Sequence, residues 1–403
     1  MWKTLHPNIR TRIEIQFLSR FGSSLIFPFM AIYFTKAYSV EVAGTLVMFN
    51  VVASFLAGVY GGHLTDVIGR RKILFGGELV KCFTTVGIIV VNSPWFYNPA
   101  LTFVMMLGQN LASGLINPAS EAMLVDVSTE ENRSFMYAIS YWASNLSLML
   151  GIMIGGWFFE DYFFVLLLFL LVINLLTTYL TYHFINETHA VSKKSHMLGL
   201  GAVLRSYREV ARDHRFLIFT LGGIAILGIE NQRNNYISVH LAGNFQPMDF
   251  AGIVLNGVKM LSLSTTINTF LIVILTAPVA RLISKQNPTK IFKMGVSLFA
   301  LGFGLLAFTT NFWIVVLSSV VLSIGELLYV PTRQAKLAEL VDMNNRGAYL
   351  ALNGTIFQLG KLVGAAMLII SPYLSSTGMM LTIFLLGIIA ITLTTISLKK
   401  KKE

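Results

Sequence analysis

The chain predicts an all-α membrane protein with twelve spanning helices in two six-helix bundles around a central cavity. Three observations lead there. Of the 403 residues, 55% are hydrophobic and only 12% charged, with a mean hydropathy of +0.70. Soluble domains average about 25% charge, so a soluble fold of this composition lacks the polar groups to cover its surface. The apolar residues fall into runs long enough to cross a bilayer, where a helix satisfies its own backbone. The basic residues cluster in alternate loops between those runs.

Taken in order, the expected spans are 12–36, 42–65, 72–92, 99–125, 134–158 and 161–185, then 216–240, 253–282, 290–309, 312–340, 347–371 and 377–397. Several exceed the ~20 residues needed to cross hydrocarbon, and tilt absorbs the excess. The chain therefore divides into a first bundle (1–185), a linker (186–215) and a second bundle (216–403). In the linker, Val203, Leu204, Tyr207, Val210 and Ala211 recur at near-helical spacing among charges, which predicts a short helix along the membrane interface.

Lysine and arginine set the orientation. Lys3, Arg10 and Arg12 precede helix 1, Arg70 to Lys72 separate helices 2 and 3, and Arg133 separates 4 and 5. Lys193, Lys194, Arg205, Arg208, Arg212 and Arg215 fill the linker; Arg281, Lys285, Lys290 and Arg346 follow, and Lys399 to Lys402 close the chain. All fall on one side if both termini are cytoplasmic, whereas the opposite loops carry few bases, chiefly Lys36. This asymmetry accounts for the net charge of +11 without nucleic acid as a partner. A multi-pass protein of the cell membrane is expected, contacting lipid and working as a monomer.

An internal repeat supports two equivalent halves. Pro118 to Arg133 and Pro331 to Arg346 lie at an offset of 213 residues (331 less 118). Each places an alanine, a leucine, an acid (Asp126 or Glu339) and a closing Asn-Arg at the same spacing from the proline. The same offset sets Gly151 against Gly364. Parallel repeats of this kind build a substrate cavity between the halves.

Residues 61–72, G-G-H-L-T-D-V-I-G-R-R-K, read as a tight basic turn. Gly62 and Gly69 favour reversal, Asp66 is placed to meet a helix N-terminus or an arginine, and Arg70 holds the turn at the cytoplasmic face. With Asp126 and Arg133 at the end of helix 4, these residues form a candidate cytoplasmic gate.

Ionisable residues inside apolar spans are the candidate working groups. Each costs roughly 2.5–3.5 kcal/mol at the bilayer centre and needs a partner, water or a proton. Glu326, in G-E-L-L-Y-V-P of helix 10, is the first candidate for proton coupling. Glu230 and Arg233, three apart on one face of helix 7, form either an ion pair or a further proton and substrate site. Arg20, Asn234 and Lys361 are candidate cavity residues. Glu78 and Lys81, also three apart, are expected to pair. Tyr141, Trp142 and Asn145, with Tyr137 and Ser147, suggest a wall for amphipathic compounds or a plain helix interface. Gly151, Gly155 and Gly156 predict close helix packing by helix 5.

Other chemistries find little support. The seven histidines show no metal spacing, and one cysteine, Cys82, excludes an intramolecular disulfide. The chain has no phosphate-binding G-x-x-x-x-G-K-[ST] loop, so ATP is not the expected energy source; with Glu326 as a proton site a proton gradient is, and no cofactor or metal is expected.

These features together resemble the major facilitator superfamily over the full chain, and within it the drug:proton antiporters. The residues behind the likeness are the 61–72 loop, Tyr141-Trp142-Ala143 with Asn145-Leu146-Ser147, Gly325-Glu326 with Tyr329 and Pro331, and Asp126 with Glu131-Asn132-Arg133. The resemblance implies alternating access and a proton-coupling role for Glu326. The sequence departs from the pattern at Ile152, which replaces a helix-5 proline, at Asn110, and at Ser140 and Asn234, where similar proteins carry acids. The expected function is proton-coupled export of small lipophilic or amphipathic substrates. A lipid or glycolipid flippase, a sugar or peptide carrier, and a non-transporting sensor are the competing readings; an enzyme is not expected.

Overall fold

The computed structural model describes Trp2, residues 5–188, Val210, and residues 212–250, 252–283, 285–341 and 346–398. The side chains of Asp66, Glu130, Ser134 and residues 346–348, 350 and 351 are excepted. Most of the expected interfacial helix of the linker lies outside the described residues.

The first half holds α1 (Pro7–Ala37), α2 (Val40–Ile68), α3 (Arg70–Val91), α4 (Pro99–Asp126), α5 (Glu130–Phe158) and α6 (Phe163–Phe184). The second holds α7 (beginning at His214–Glu230), α8 (Gly257–Ile283), α9 (Pro288–Phe308), α10 (Phe312–Leu340), α11 (Arg346–Ile370) and α12 (Ser376–Ser397). Among the described residues, 11 helices are long and apolar enough to cross a membrane. The exception is α7, which is interrupted. Its α-helical hydrogen bonding stops at Glu230, a π turn covers Arg233–Ile237, and Ser238–Asn244 resumes the helix. The Ile237 amide reaches back five residues to the Gln232 carbonyl at 2.9 Å. Such π turns gather at functional sites because they displace side chains from the regular helical phase.

Helix starts follow their local chemistry. Thr129 and Asn132 form a reciprocal capping box at α5. Asn98, Asn287 and Asn311 cap α4, α9 and α10 through their side-chain oxygens. Two short antiparallel hairpins, Asn92–Ser93 with Phe96–Tyr97 and Met248–Phe250 with Ile253–Leu255, sit in loops. The second takes residues 253–255 out of the span expected for α8.

The turn expected over 61–72 is shorter than its composition suggests. Helix α2 continues through Ile68, and the chain reverses at Gly69 alone, whose φ of 103° suits glycine. Thr65 steadies this last turn by donating to the Gly61 carbonyl at 2.6 Å.

By its contacts the chain forms two compact units, Met1–Met30 with Phe49–Leu200, and Ala31–Met48 with Gly201–Glu403. The two share an internal plan. The third helix packs on the fourth (α3 on α4, α9 on α10), the first on the fifth and sixth, and the third on the sixth. This is the arrangement a duplicated six-helix unit predicts. Pro118 and Pro331 occupy matching positions inside α4 and α10. The first unit centres on Ile15, Leu74, Ile116, Ala119 and Met123, and the second buries Phe216, Phe219, Phe292, Phe299 and Phe303.

Helix α5 meets α1 through glycine. A Cβ on Gly151 would strike the Ser24 side chain and the Phe21 carbonyl, and one on Gly155 would strike the Leu25 carbonyl and the Phe29 ring. Gly156 is buried beside them. Gly155→Val should therefore cost about 1–3 kcal/mol through overpacking. Thermal unfolding in detergent checks this, and a melting temperature equal to wild type would show that α1 and α5 do not need their close approach.

Candidate functional site

The second unit contains a polar cluster built on three helices. α8 contributes Asn268, 4% exposed, whose side-chain oxygen accepts from Arg233 Nη1 at 2.9 Å. The Asn268 Nδ2 donates to Glu326 Oε2 at 3.0 Å and to Ser323 Oγ at 3.1 Å, both on α10. Ser323 donates to the Ser319 carbonyl, and Ser319 Oγ donates to Ser264 Oγ at 2.7 Å. A buried hydroxyl seam thus runs between α8 and α10 beside Glu326. Glu230, Glu326, Arg233 and Tyr329 lie within electrostatic reach of one another.

Arg233 is held by its neighbours more than by an acid. Its guanidinium lies over the Phe303 ring at 5.3 Å, and its Nε is buried without a hydrogen-bond partner. Among the described residues, no carboxylate comes within 4.0 Å of it. The pairing read from the three-residue spacing of Glu230 and Arg233 is absent because α7 is not a regular helix there. Glu230 ends the α-helical stretch and Arg233 opens the π turn, so the phase between them is altered. Glu230 is exposed, Glu326 half-buried, and Asn234 exposed within the π turn. A Cβ on Gly364 of α11 would press on Asn231 and Asn235, so α11 lies tightly against the same break. Lys361 is exposed on α11.

The remaining predicted residues are spread over the first unit. Arg20 is exposed on α1. Tyr141 and Trp142 are 69% and 60% exposed, while Ser147 is buried against α1, so the α5 residues do not share one wall. Asn145 donates to its own helix at the Tyr141 carbonyl. Trp142 lines an apolar groove of about 530 Å³ with Trp2, Ile13, Glu14, Phe17 and Leu180. Glu78 and Lys81 pair at 3.4 Å as their spacing predicts, and the pair is completed by Thr177 on α6 and Ser19 on α1.

At the Gly69 end of this unit, Arg70 forms an ion pair with Asp126 and donates to the Ala122 carbonyl at 2.8 Å. Gly62 has open space around its Cα, and the side chain of Asp66 lies outside the described residues. Arg133 turns to Ser128, donating to its Oγ at 3.0 Å, and does not join Asp126. Asp126 instead accepts from Thr188 at 2.9 Å. Glu187 accepts from the Arg70 and Arg71 backbone amides at 3.2 and 3.1 Å, capping α3 with a negative charge where its dipole is positive.

Several functional candidates carry little signal in sequence. Asn268 is an uncharged residue in an apolar run, detectable only by counting amides inside spans. Arg12 reads in sequence as a base flanking helix 1, yet it is 4% exposed and donates to Ser120 on α4. Arg333 is buried over the Phe219 ring at 4.7 Å.

The family model described as Major Facilitator Superfamily matches residues 15–241 and 234–403, and the chain belongs to that superfamily of membrane transporters. Among relatives, a Na(+), Li(+), K(+)/H(+) antiporter of Planococcus maritimus is 27% identical over 375 residues, covering 90% of this chain and 88% of that protein. The multidrug resistance protein MdtH of Edwardsiella ictaluri is 22% identical, covering 85% and 81%. Among solved structures, a POT family transporter in complex with 5-aminolevulinic acid matches with a TM-score of 0.75 at 15% identity, covering 98% of each chain. That last likeness concerns the fold.

The Arg70–Asp126 pair yields a direct test. Asp126→Asn should lower stability by about 1.5–3 kcal/mol through loss of a charge-assisted bond, and should speed alkylation of a cysteine placed at Thr188. Unchanged melting and labelling would mean that the pair does not hold this end together.

Proposed function

We propose that the chain is a proton-coupled antiporter whose exchange site is the cluster of Glu230, Arg233, Asn268 and Glu326. The observation that carries this reading is two carboxylates on apolar helices, neither paired at ion-bridge distance among the described residues, sharing the field of one arginine. A carboxylate in that setting exchanges a proton for a cationic group, because leaving it bare in an apolar span is costly. The energy source is the proton gradient, and no cofactor is needed.

The substrates are small amphipathic or lipophilic molecules, exported by alternating access. The relatives named multidrug resistance protein MdtH support this, as does the resemblance of Gly325-Glu326, Tyr329 and the Tyr141-Trp142 pair to the lactococcal multidrug transporter LmrP. The exposed Tyr141 and Trp142, with Arg20, Asn234 and Lys361, are the proposed contacts for substrate. Arg70 and Asp126 close the cytoplasmic end of a monomer in the cell membrane, with both termini inside. A second reading, exchange of a monovalent inorganic cation for protons, is favoured by the 27% identity to the cation/H(+) antiporter. The oxygens of Ser264, Ser319, Ser323 and Glu326 are the hard ligands that such an ion prefers.

Proteoliposomes with an imposed pH gradient separate these readings. Ethidium or tetraphenylphosphonium counterflow supports the first substrate class, and Na⁺, Li⁺ or K⁺ counterflow the second. In either case Glu326→Gln should abolish proton-driven exchange while keeping the wild-type melting temperature. Exchange by Glu326→Gln at the wild-type rate would remove Glu326 from coupling.

A further inference from the structure

We infer that the apolar groove over α1 in the first unit binds an amphipathic monocation, with the Glu14 carboxylate taking its charge and the Trp2 and Trp142 rings taking its apolar body. The substrate class rests on the export reading above. The site itself lies apart from the exchange cluster and adds a place where such a molecule is held.

The groove follows from how three helices pack. Helices α5 and α6 each lie along α1 and touch one another little, so a furrow stays open between them with α1 as its floor. Ile13 and Ala143 line it and belong to a buried cluster with Leu5, Ile9, Leu124 and Met136, which keeps the floor close-packed. Gln16 donates to Ser144 Oγ at 2.9 Å, a polar contact that also joins α1 to α5. The walls are therefore in place before a ligand arrives. The volume of about 530 Å³ lies within the ~300–1,000 Å³ of sites for small organic ligands.

Charge selects the ligand first. Glu14 is exposed, and among the described residues lining the groove no other is ionisable. Arg10, one turn earlier on α1, has its Nε buried, and among the described residues no base comes within 4.0 Å of Glu14. A lone acid over apolar walls repels anions, and a neutral chain leaves the carboxylate unanswered. An inorganic cation prefers a shell of oxygens, and Glu14 supplies the only side-chain oxygen in the lining. What satisfies both acid and walls is a monocation with a large apolar body, such as a quaternary ammonium or phosphonium. Trp142, 60% exposed, and Trp2 provide indoles, the rings that attract a cation best.

Position along the helices agrees with this class. Glu14 lies about 10 Å along α1 from Pro7 at 1.5 Å per residue, and Leu180 lies one turn before the end of α6. The groove thus sits towards the end of the unit that carries Arg70 and Asp126. There an amphipathic cation keeps its charge near water while its apolar body leaves it.

The test uses purified full-length protein in lipid nanodiscs at constant ionic strength. The probe is a benzophenone-bearing triphenylphosphonium, with a neutral benzophenone of the same alkyl length as control, and labelled peptides are mapped by mass spectrometry. The cationic probe should label residues within 13–18 and 139–143 and be displaced by tetraphenylphosphonium but not by Na⁺. Glu14→Gln should cut this labelling by ~5-fold without changing that by the neutral control, and Glu14→Asp should keep most of it. Trp142→Leu, at an exposed position, should cut it by ~3-fold or more and carries the test if Glu14→Gln does not fold. Wild-type labelling of folded Glu14→Gln, or of Trp142→Leu where Glu14→Gln does not fold, overturns the proposal. Labelling of the groove by the neutral probe as strongly as by the cation also overturns it and marks a seat for lipid chains. Glu14-dependent labelling in a protein that does not exchange tetraphenylphosphonium for protons removes the export reading and leaves the groove standing. Exchange without labelling removes the groove alone.

Discussion

Hydrocarbon offers no hydrogen-bond partners, so every polar group in a spanning helix has to find its partner inside the protein. The fold depends on this constraint. It explains why serine and threonine hydroxyls fold back onto carbonyls of their own helix, as at Thr181, Thr265 and Ser323. It also explains why Glu78, Lys81, Arg12, Arg233 and Glu326 are joined to polar groups of neighbouring helices. Those links in turn fix which helices touch. Glu78 and Lys81 tie α3 to α6 and α1, Arg12 ties α1 to α4, and Asn268 ties α8 to α7 and α10.

The two units meet the constraint in different ways. In the first, two charges have opposite partners, Glu78 with Lys81 and Arg70 with Asp126, while the buried Arg12 rests on the Ser120 hydroxyl. In the second, two acids share one arginine, and an uncharged amide mediates between them. A matched pair is a stable endpoint, because removing either partner leaves an uncompensated charge. An excess acid is different: it is stable with a proton or with a cation, and exchange between those two is what an antiporter requires.

What was legible in sequence follows from what leaves a periodic or charged trace. Apolar length alone located α10 at 312–340 and α4 within one residue. The offset of 213 residues revealed the duplicated plan before any contact was known. Glu326 and Glu230 stood out as charges among apolar neighbours. The π turn at Arg233–Ile237 left no such trace, since its residues are ordinary for a helix, and of the two readings of Glu230 and Arg233 the ion pair is not formed. Asn268 was overlooked because an amide has no charge, although its two-ended hydrogen bonding gives it the central place. The reversal at Gly69 was visible as a glycine, whereas the composition of residues 61–68 hid that the helix continues to Ile68.

The repeat also shows how one half came to differ from the other. Asp126 and Glu339 are equivalent by offset, and both lie at the last turn of their helices, α4 and α10. Asp126 reaches across to Arg70 at the start of α3, where Gly69 lets the chain reverse in one residue. At the corresponding place in the last turns of α8, the stretch Ala277-Pro278-Val279-Ala280-Arg281 has neither the acid nor the glycines, and Arg70 is matched by Ile283. With that cross-helix partner gone, Glu339 turns to Lys336 on its own helix at 3.1 Å. An exposed pair at i,i+3 is worth a few tenths of a kcal/mol, far less than a partly buried arginine–carboxylate bond. The glycine-centred turn thus goes with a latch between helices, and the stretch without it goes with a local surface pair. The clasp lies in the first unit, and the second carries Glu230 and Glu326, the acids proposed to exchange.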